Sequence, residues 1–434
     1  MPHRIVLLIM LLVEMFFANA QLQRKPNIIY IMTDDLGYAD LSSYGRKDYS
    51  TPNLDKLAMQ GMKFMNAYAA APVCTPSRVA FMTGRYAART PVGLIEPLDW
   101  SAKDSTTGLD TDIPCIAARL HSASYETYLI GKWHLGFMPQ FSPLRHGFDY
   151  FYGFNGGGVD YISHTSQDGM PDLYENYQPV AKEGYMTDLL MQKAIDVITK
   201  QHTKPFFLNI MFNAPHWPWQ APGDSAYNQD WKKGGSPGKY AAMMKSLDDA
   251  VGKILAALDK AHLANNTVVI FTSDNGGERF SNMDIYRGSK MQLWEGGIRV
   301  PAFVRWPGHI KAGSVSNQVV TTLDWTATIL SLAGAKPVAN FPLDGTDISR
   351  VLTGATKDIP HAMYWRVFQR MKHKAMREGK WKYLQDEKGN EYLFDLVADP
   401  SEKNDLKEKA PAVFANLKSK YAAWEAAMLK PVPL

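Results

Sequence analysis

Four short apolar segments along the chain each end abruptly in polar residues. They read NIIYIMTDD, TYLIGKWHLG, KPFFLNIMFNAPHWP and TVVIFTSDNGG, and they begin at Asn27, Thr127, Lys204 and Thr267. Their apolar residues are continuous and do not alternate with polar ones, which is typical of strands buried on both faces of a sheet. The pattern therefore predicts four strands of a buried sheet.

Segments with helical periodicity lie between these strands. Ser236 and Pro237 resemble an N-cap and first-turn pair. Apolar residues then recur at helical spacing at Leu247, Val251, Ile254 and Leu258. A second helix is predicted for TPNLDKLAMQ, opening at Thr51 and closing at Gly61. Strands that alternate with helices predict an α/β fold with a largely parallel sheet covered on both faces.

The polar residues that follow the four strands are expected to meet at one edge of this sheet. They are Asp34 and Asp35, Lys132 and His134, Asn213 and His216, and Asp274 and Asn275. Ligands of such sheets bind beyond the carboxyl ends of the strands. Carboxylate and amide oxygens are the ligands that hard cations such as calcium or magnesium require. For Asp34 and Asp35 taken alone, a turn or a helix cap is the alternative interpretation.

The first twenty residues have the layout of a secretory signal peptide. Arg4 supplies positive charge, residues 5–13 are apolar, and residues 18–20 are small, so cleavage is expected before Gln21. The apolar run is too short to span a bilayer, and no second candidate follows. We therefore expect an exported protein, periplasmic or secreted, without a membrane span. The formal net charge of +4 is too small to indicate nucleic acid binding.

The chain has two cysteines, Cys74 and Cys115. A disulfide between them is one interpretation, since an oxidising compartment permits it. The surroundings of Cys74 favour another one. The segment SRVAFMTGR predicts a short helix that begins just after Cys74, and Arg78 adds a cation there. A helix N-terminus and a nearby cation would stabilise an anionic oxygen or a thiolate at position 74.

Several motifs resemble the type I sulfatases of the alkaline phosphatase superfamily. CTPSR, which begins at Cys74, is similar to the C-x-P-x-R sequence that formylglycine-generating enzymes recognise. DDLGYADLSSYG, TPNLDKLA, TGRY, GKWHLG, APHWP, SDNGG, GSKMQLWEGGIRVP and YLFDLVADPSEKNDL resemble other stretches of that family, in the same order. The resemblance spans residues 27 to about 410. It implies an alkaline-phosphatase-like fold, with a large, mostly parallel mixed sheet between helices and a small C-terminal antiparallel sheet with a packed helix.

The resemblance also implies how residue 74 and a metal would act. A formylglycine-generating or sulfatase-maturing enzyme would convert Cys74 to formylglycine, whose hydrate offers two hydroxyls. In the family, calcium (less often magnesium) would bind one of those hydroxyls and the side chains of Asp34, Asp35, Asp274 and Asn275. Cys115 would then be unpaired and buried. The expected substrate is a sulfated carbohydrate.

Five further residues acquire roles from the same resemblance. Arg78, together with the metal, would lower the pKa of the attacking hydroxyl. His216 would protonate the leaving alcohol, and Lys290 would hold the sulfate oxygens. Lys132 would bridge formylglycine and sulfate. His134 would take a proton from the second hydroxyl, so that sulfate is expelled and the aldehyde returns.

Two other functions compete with this one. A phosphate or phosphonate ester hydrolase of the same superfamily would use imidazole ligands for zinc, whereas the fourth strand here ends in Asp274 and Asn275. An inactive protein that binds sulfated glycans would have lost a catalytic or ligand residue, and none is missing from the motifs.

The C-terminal part of the chain is expected to form its own unit. We predict a signal peptide at residues 1–20, a catalytic domain at 21–355 and a C-terminal subdomain at 356–434. The last part reads as an antiparallel meander followed by a helix over residues 411–429. Its residues 364–384 hold seven Lys or Arg and one acid, Glu378, which indicates either a solvated face or a subsite for a polyanionic substrate.

Aromatic residues and the remaining histidines are less informative. Trp217 and Trp219 flank Pro218 directly after His216, and they predict either core packing or an apolar platform for a sugar ring. Three other histidines are expected to be structural or adjacent to the substrate. They are His146, His361 and His373.

Overall fold

A ten-stranded sheet forms the centre of the protein in a computed structural model that describes residues 25–100, 106–227 and 230–432. The predicted signal peptide lies outside these residues. The strands are β1 Asn27–Thr33, β2 Met62–Tyr68, β3 Glu126–Lys132, β4 Tyr150–Phe154, β5 Tyr174–Glu175, β6 Gln178–Pro179, β7 Phe206–Met211, β8 Thr267–Ser273, β9 Ala302–Arg305 and β10 Ser314–Thr321. They are ordered β10-β2-β9-β8-β1-β7-β3-β4-β5-β6.

The middle of the sheet is parallel, as the continuous apolar runs predict. Strand β1 pairs in parallel with β7 on one side and β8 on the other, and Met32 lies opposite both Met211 and Thr272. Strand β3 continues the parallel order on the far side of β7. Antiparallel pairs involve β9, β5 and β6. The four predicted strands therefore end at the same edge of a mixed, mostly parallel sheet.

Helices cover both faces of the sheet. The helices within the described ranges are α1 Pro52–Met59, α2 Cys74–Thr83, α3 Ile116–Ser122, α4 Met186–Thr199, α5 Pro237–Lys260, α6 Glu295–Ile298, α7 Thr322–Leu332, α8 Ser349–Leu352 and α9 Pro411–Ala426, of which α9 packs on a second, C-terminal sheet. Successive residues of β1 enter opposite cores, because side chains alternate between the faces of a strand. Ile28 packs in the core that contains Trp325 of α7, and Ile29 packs in the core that contains Leu247 of α5.

Two helix starts can be compared with their predictions. Helix α5 begins at Pro237, and the Ser236 side chain accepts a hydrogen bond from the backbone N–H of Lys239, as an N-cap does. Helix α2 begins at Cys74, one turn earlier than SRVAFMTGR predicts. Gly84 closes α2 with φ 66°, a left-handed conformation that glycine adopts without strain.

A four-stranded antiparallel sheet and α9 form the C-terminal part. The strands are β11 Ala362–Val367, β12 His373–Glu378, β13 Trp381–Gln385 and β14 Glu391–Asp395. One face packs on α9 through Leu417 and Tyr421. The other face packs on the large domain, where the Trp365 indole N–H donates to the carbonyl of Ala69. The predicted fold class is confirmed.

No helix within the described ranges has both the length and the hydropathy that crossing a membrane requires.

Candidate active site

The acidic residues after β1 and β8 meet at the carboxyl edge of the sheet. The backbone N–H of Asp35 donates to Asp274 Oδ1 over 3.2 Å, and Asn275 Nδ2 donates to Asp35 Oδ1 over 2.7 Å. Asp35 has φ 63°, a left-handed conformation that is uncommon outside glycine and that clusters at functional sites. All four side chains, including Asp34, are buried. The parallel pairing of β1 with β8 therefore builds one oxygen-rich cluster from two distant segments.

Cys74 lies beside this cluster as the first residue of α2. Its Sγ is 3.6 Å from Asp34 Oδ1, and the residue is 1% exposed. Burial raises the pKa of the Cys74 thiol, and the nearby ammoniums of Lys132 and Lys290 oppose this effect without reversing it. Burial therefore favours the neutral thiol over the thiolate in the unmodified cysteine, which is opposite to the effect expected from a helix N-terminus and Arg78.

The disulfide interpretation is also wrong. Cys74 and Cys115 are both free and buried. The sulfur of Cys115 lies 3.7 Å from the sulfur of Met82 in the core. Cys115 is thus the buried, unpaired residue that the family resemblance implies.

Each buried carboxylate of the cluster has a cationic partner. Lys132 Nζ is 2.6 Å from Asp34 Oδ2, and Lys290 Nζ is 2.7 Å from Asp35 Oδ2. An Arg78 guanidinium nitrogen is 2.9 Å from Asp274 Oδ2. Three cations that the sequence singled out therefore pair with the carboxylates beside Cys74.

Burial and these cations separate the acidities of the three carboxyl groups. Burial raises the pKa of Asp35 to about 7 and that of Asp274 to about 6. Burial would raise the pKa of Asp34 as well, but Lys132 and further positive charges hold it well below its usual range. Asp34 is therefore the most firmly ionised carboxylate of the cluster.

His216 reaches the cluster from the loop after β7. Its Nδ1 is 2.6 Å from the carbonyl oxygen of Trp217, which can only accept, so Nδ1 carries the hydrogen. Its Nε2 lies 3.6 Å from Asp35 Oδ2. Burial lowers the pKa of His216 well below its usual value, although the charge of Asp34 opposes this. The side-chain amide of Asn213, the other residue named after β7, is buried without a hydrogen-bond partner in the described ranges.

His134 has the opposite hydrogen-bond arrangement. Its Nε2 lies 2.8 Å from the carbonyl oxygen of Leu98 and therefore carries the hydrogen. Its Nδ1 is buried, and no residue of the described ranges forms a hydrogen bond with it. Burial and the charge of Lys132 lower the pKa of His134 well below the usual value. The ring is therefore neutral, with a free lone pair on Nδ1.

The cluster fits a hard divalent cation. Ligand atoms of Asp34, Asp35, Cys74 and His216 all lie within 4.8 Å of one another. The side-chain oxygen of Asn275 is buried and accepts no hydrogen bond within the described residues, so it is free to ligate. Carboxylate and amide oxygens suit calcium or magnesium. His216 adds one nitrogen to the group, a feature that the oxygen-only prediction did not include.

A cavity of about 450 Å³ opens above the cluster. Cys74, His134, His216 and Lys290 line it together. Sequence reasoning missed most of its remaining wall. The missed residues include Trp100, Gly157, Gly158, Trp231 and Lys232.

Steric crowding explains why a glycine occupies position 157 of the cavity wall. A Cβ atom on Gly157 would lie 2.7 Å from His134 Nε2, closer than real Cβ contacts. The loop therefore approaches the His134 ring closely enough that only glycine fits without a shift. The triplet of glycines at 156–158 was the only signal of this in the sequence.

The two tryptophans after His216 have different positions. Trp217 lines the cavity, and its ring centroid is 4.3 Å from that of His216. Trp219 is buried in the core, where it packs edge-on against Phe280. The platform interpretation thus fits Trp217, and the core interpretation holds for Trp219.

The basic segment 364–384 contributes mainly to the C-terminal unit itself. Arg377 and Lys382 are buried, and Lys374 and Lys380 pair with nearby carboxylates. Only Arg370 from this segment lines the cavity. Within this segment, Arg370 is therefore the one residue still expected to contact a polyanionic substrate.

The other histidines lie outside the cavity wall. The His146 ring packs on Trp133, and His361 Nε2 is 3.0 Å from an Asp324 carboxylate oxygen. His373 is buried below the loop that carries Lys290, where it accepts a hydrogen bond from the backbone N–H of Leu293.

Comparisons with known proteins agree with this geometry. Residues 26–335 match the sulfatase family, and residues 288–426 match the family described as N-sulphoglucosamine sulphohydrolase, C-terminal. N-acetylgalactosamine-6-sulfatase of Rattus norvegicus is 35% identical over 366 residues, which cover 79% of this chain and 68% of the relative. Arylsulfatase of Hemicentrotus pulcherrimus is 32% identical, covering 94% of this chain and 83% of the relative.

Solved structures show the same relationship. The crystal structure of Ps i-CgsB in complex with k-i-k-neocarrahexaose superposes with a TM-score of 0.84 at 34% identity, covering 95% of each chain. The PsFucS1 sulfatase from Pseudoalteromonas sp. gives a TM-score of 0.78 at 26% identity, covering 96% of this chain and 93% of the other. The chain belongs to the type I sulfatase family of the alkaline phosphatase superfamily, and the protein is a sulfatase.

Proposed function

We propose that this sulfatase removes sulfate from a sulfated carbohydrate and uses residue 74 as its nucleophile. One observation carries the proposal. Cys74, the buried carboxylates, Lys290 and His216 meet at the base of one cavity. Two comparisons support this substrate class. One relative is an N-acetylgalactosamine-6-sulfatase, and one similar solved structure is a complex with k-i-k-neocarrahexaose.

The nucleophile is formed by modification of Cys74. A buried, neutral thiol is a poor nucleophile, which favours a modified side chain over the cysteine itself. A formylglycine-generating or sulfatase-maturing enzyme acts on the CTPSR motif during maturation. The hydrate of formylglycine then supplies an oxygen nucleophile at the start of α2. The guanidinium of Arg78, itself fixed by Asp274, stabilises negative charge there.

The cation is calcium, with magnesium as a weaker candidate. Asp34, Asp35, Asp274 and Asn275 would hold it with oxygen atoms, and an oxygen of residue 74 would complete the set. When bound, a divalent cation lowers the pKa of an oxygen nucleophile and neutralises charge on the sulfate. The unpartnered oxygen of Asn275 supports this assignment.

The sulfate group is held by lysines. Lys132 and Lys290 each place an ammonium next to a carboxylate of the cluster. Because the cavity is lined by Lys290, its charge is available to a sulfate oxygen there. Lys132 lies deeper in the protein than Lys290. Its ammonium fixes the carboxylate of Asp34, which lies next to residue 74.

The two histidines have different tasks. The carbonyl of Trp217 fixes the His216 ring through Nδ1, so the leaving alcohol takes its proton from Nε2 of the doubly protonated ring, a form that burial disfavours and the charge of Asp34 favours. The carbonyl of Leu98 fixes His134 through Nε2, and its neutral Nδ1 accepts a proton from the side chain at residue 74. A positioned acid of this kind contributes about 10²–10⁴-fold to the rate.

We also propose export to the periplasm or the exterior, since the first twenty residues resemble a signal peptide. Residues 21–355 form the catalytic domain and residues 356–434 the C-terminal subdomain. This division agrees with the start of the second sheet at Ala362. Trp217 and Trp231 give the cavity an aromatic wall that suits a sugar ring.

The test compares p-nitrophenyl sulfate, p-nitrophenyl phosphate and defined sulfated oligosaccharides with the matured protein. We expect release of inorganic sulfate and little phosphate. Faster phosphate release, together with bound zinc, would support the phosphate ester hydrolase, for which His216 near the carboxylates is the one favourable observation. Binding of sulfated glycans without sulfate release would support the inactive binding protein.

A further inference from the structure

The loop that carries Lys290 contacts the nucleophile segment on one side. We call residues 288–295 the lysine loop. The backbone N–H of Lys290 donates to the carbonyl of Gly277 over 2.9 Å. The N–H of Met291 donates to the carbonyl of Pro72 over 2.8 Å, two residues before Cys74. The position of Lys290 relative to residue 74 thus depends on the course of this loop.

The lysine loop has an unfavourable backbone conformation next to Lys290. Met291 has φ 74°, which is sterically disfavoured for a residue with a long side chain. Such a conformation is destabilising and persists only where the surrounding structure holds it. The hydrogen bonds to Gly277 and Pro72 hold the loop on one side, and further contacts hold it on the other.

His373 of β12 supplies one of these contacts. Its Nδ1 accepts a hydrogen bond from the backbone N–H of Leu293 over 3.2 Å. Because Nδ1 is an acceptor, the ring hydrogen lies on Nε2, which is 2.6 Å from a carboxylate oxygen of Glu387. The imidazole is fully buried, whereas the side chain of Glu387 is 44% exposed. The Glu387 carboxylate thus fixes the tautomer that can hold Leu293.

A buried ion cluster supplies the second contact. The backbone N–H of Glu295 donates to Glu402 Oε2 over 2.7 Å. Lys382 of β13 lies between the two carboxylates, 2.9 Å from Glu295 and 2.7 Å from Glu402. All three side chains are completely buried. The C-terminal subdomain therefore holds the lysine loop at two backbone N–H groups.

We propose that His373 is a positioning residue for Lys290, and that the C-terminal subdomain acts on sulfate binding through it. The proposal rests on the proposed role of Lys290 in holding sulfate. The match to the C-terminal family begins at residue 288, so that match includes the lysine loop as well as the second sheet. A histidine that served only core packing would not need an acceptor nitrogen facing a loop N–H and a carboxylate to fix its tautomer.

The test is a double-mutant cycle between His373 and Lys290. Two substitutions at His373 are compared. Asparagine can place its side-chain oxygen near the position of Nδ1, whereas leucine removes the acceptor. We expect His373→Leu to lower kcat/KM for p-nitrophenyl sulfate and to weaken competitive inhibition by inorganic sulfate, each by about tenfold. His373→Asn should recover most of both losses, because it restores the acceptor for Leu293.

The Lys290→Ala background distinguishes positioning from general damage. If His373 acts through Lys290, adding His373→Leu to Lys290→Ala produces no further loss, since residues that act as a unit are not additive. An equal loss in both backgrounds would overturn the proposal. If His373→Leu does not fold, Glu387→Ala replaces it in the double-mutant cycle. The carboxylate of Glu387 is half-exposed, so it can be removed without opening the core. A wild-type protein that releases no sulfate would instead refute the proposed function, before any variant is compared.

Discussion

The ammonium of Lys132 lies 2.6 Å from the carboxylate of Asp34, and neither side chain is exposed to solvent. The two residues are separated by 98 positions: Lys132 is the last residue of β3 and Asp34 directly follows β1, with β7 between the two strands. Burying one of these charges alone would be very unfavourable, so each requires the other. The pair shows how the parallel sheet gathers charged groups at its carboxyl edge, beside residue 74.

Removal of a proposed cation ligand is the first prediction. Asp274→Ala should lose both bound calcium and turnover, because the variant lacks a carboxylate of the proposed ligand set. Calcium per chain is measured by atomic emission, alongside the rate on p-nitrophenyl sulfate. In the wild type, chelation should inactivate and calcium should restore activity better than zinc.

The matched control for this prediction is Asp284→Ala, which removes an exposed aspartate outside the cluster. It should retain calcium and activity. Full activity in Asp274→Ala would remove this residue from the site.

The second prediction separates the two histidines by their leaving-group dependence. A sugar alcohol leaves poorly without a proton, whereas nitrophenolate leaves readily. His216→Ala should therefore lose about 10²–10⁴-fold more rate on a sugar sulfate than on p-nitrophenyl sulfate. His134→Ala should slow both substrates to a similar extent, because His134 is proposed to act after the alcohol has left.

Exposed His121 offers a control, and His121→Ala should leave both rates unchanged. Leaving-group dependence in His134→Ala and not in His216→Ala would mean that the roles are reversed. If neither variant showed it, Lys290 would become the candidate acid.

The third prediction concerns pH and Glu96. Its buried carboxylate accepts hydrogen bonds from the backbone N–H groups of Phe368 and Gln369, and burial raises its pKa from 4.5 to about 7. Between these values the folded state binds more protons than the unfolded state, so stability falls as pH rises. The loss is fully developed above pH 7, on the order of 3 kcal/mol.

Glu96→Gln removes this titration and keeps an acceptor oxygen. The difference in melting temperature between Glu96→Gln and wild type should therefore grow in favour of the variant as pH rises from below 4.5 to above 7. Exposed Glu183→Gln serves as the control and should show no such trend. A difference in melting temperature between Glu96→Gln and wild type that does not change with pH would contradict the raised pKa of Glu96.

The fourth prediction concerns Arg370, the residue of the basic segment that lines the cavity. Arg370→Gln should raise KM more for a sulfated oligosaccharide than for p-nitrophenyl sulfate, and this difference should shrink at high salt. Lys372→Gln, an exposed neighbour outside the cavity wall, is the matched control. Equal effects of the two substitutions would exclude a specific role for Arg370 in binding the substrate chain.

The strands and the position of the site could be predicted because their signals are local. The run from Ile28 to Met32 is apolar throughout and is soon followed by two aspartates, and a parallel sheet has only one edge where such ends meet. The family motifs then supplied Arg78 and Lys290, whose contacts no hydrophobic pattern specifies.

Other features could not be predicted because their partners are distant in the sequence. The charges of Arg377 and Lys382 were expected on a solvated face or a subsite, but both residues are buried against Tyr68 and Glu295 of the large domain. Likewise, the cavity wall combines loops that have no common periodicity. Gly157 is one such residue, and only the close approach of His134 explains it.

The dependence of turnover on conversion of Cys74 tests the central claim most directly. Preparations that differ in maturation are compared by two values, the fraction of residue 74 present as aldehyde or hydrate, from peptide mass spectrometry, and the initial rate of sulfate release. Cys74→Ala cannot be converted, so it gives the rate of sulfate release at zero conversion. Its melting temperature should match that of the wild type because no disulfide is lost. We expect the rate to be proportional to the converted fraction and to vanish at zero conversion. Full activity in a preparation that contains only unmodified Cys74 would contradict the account.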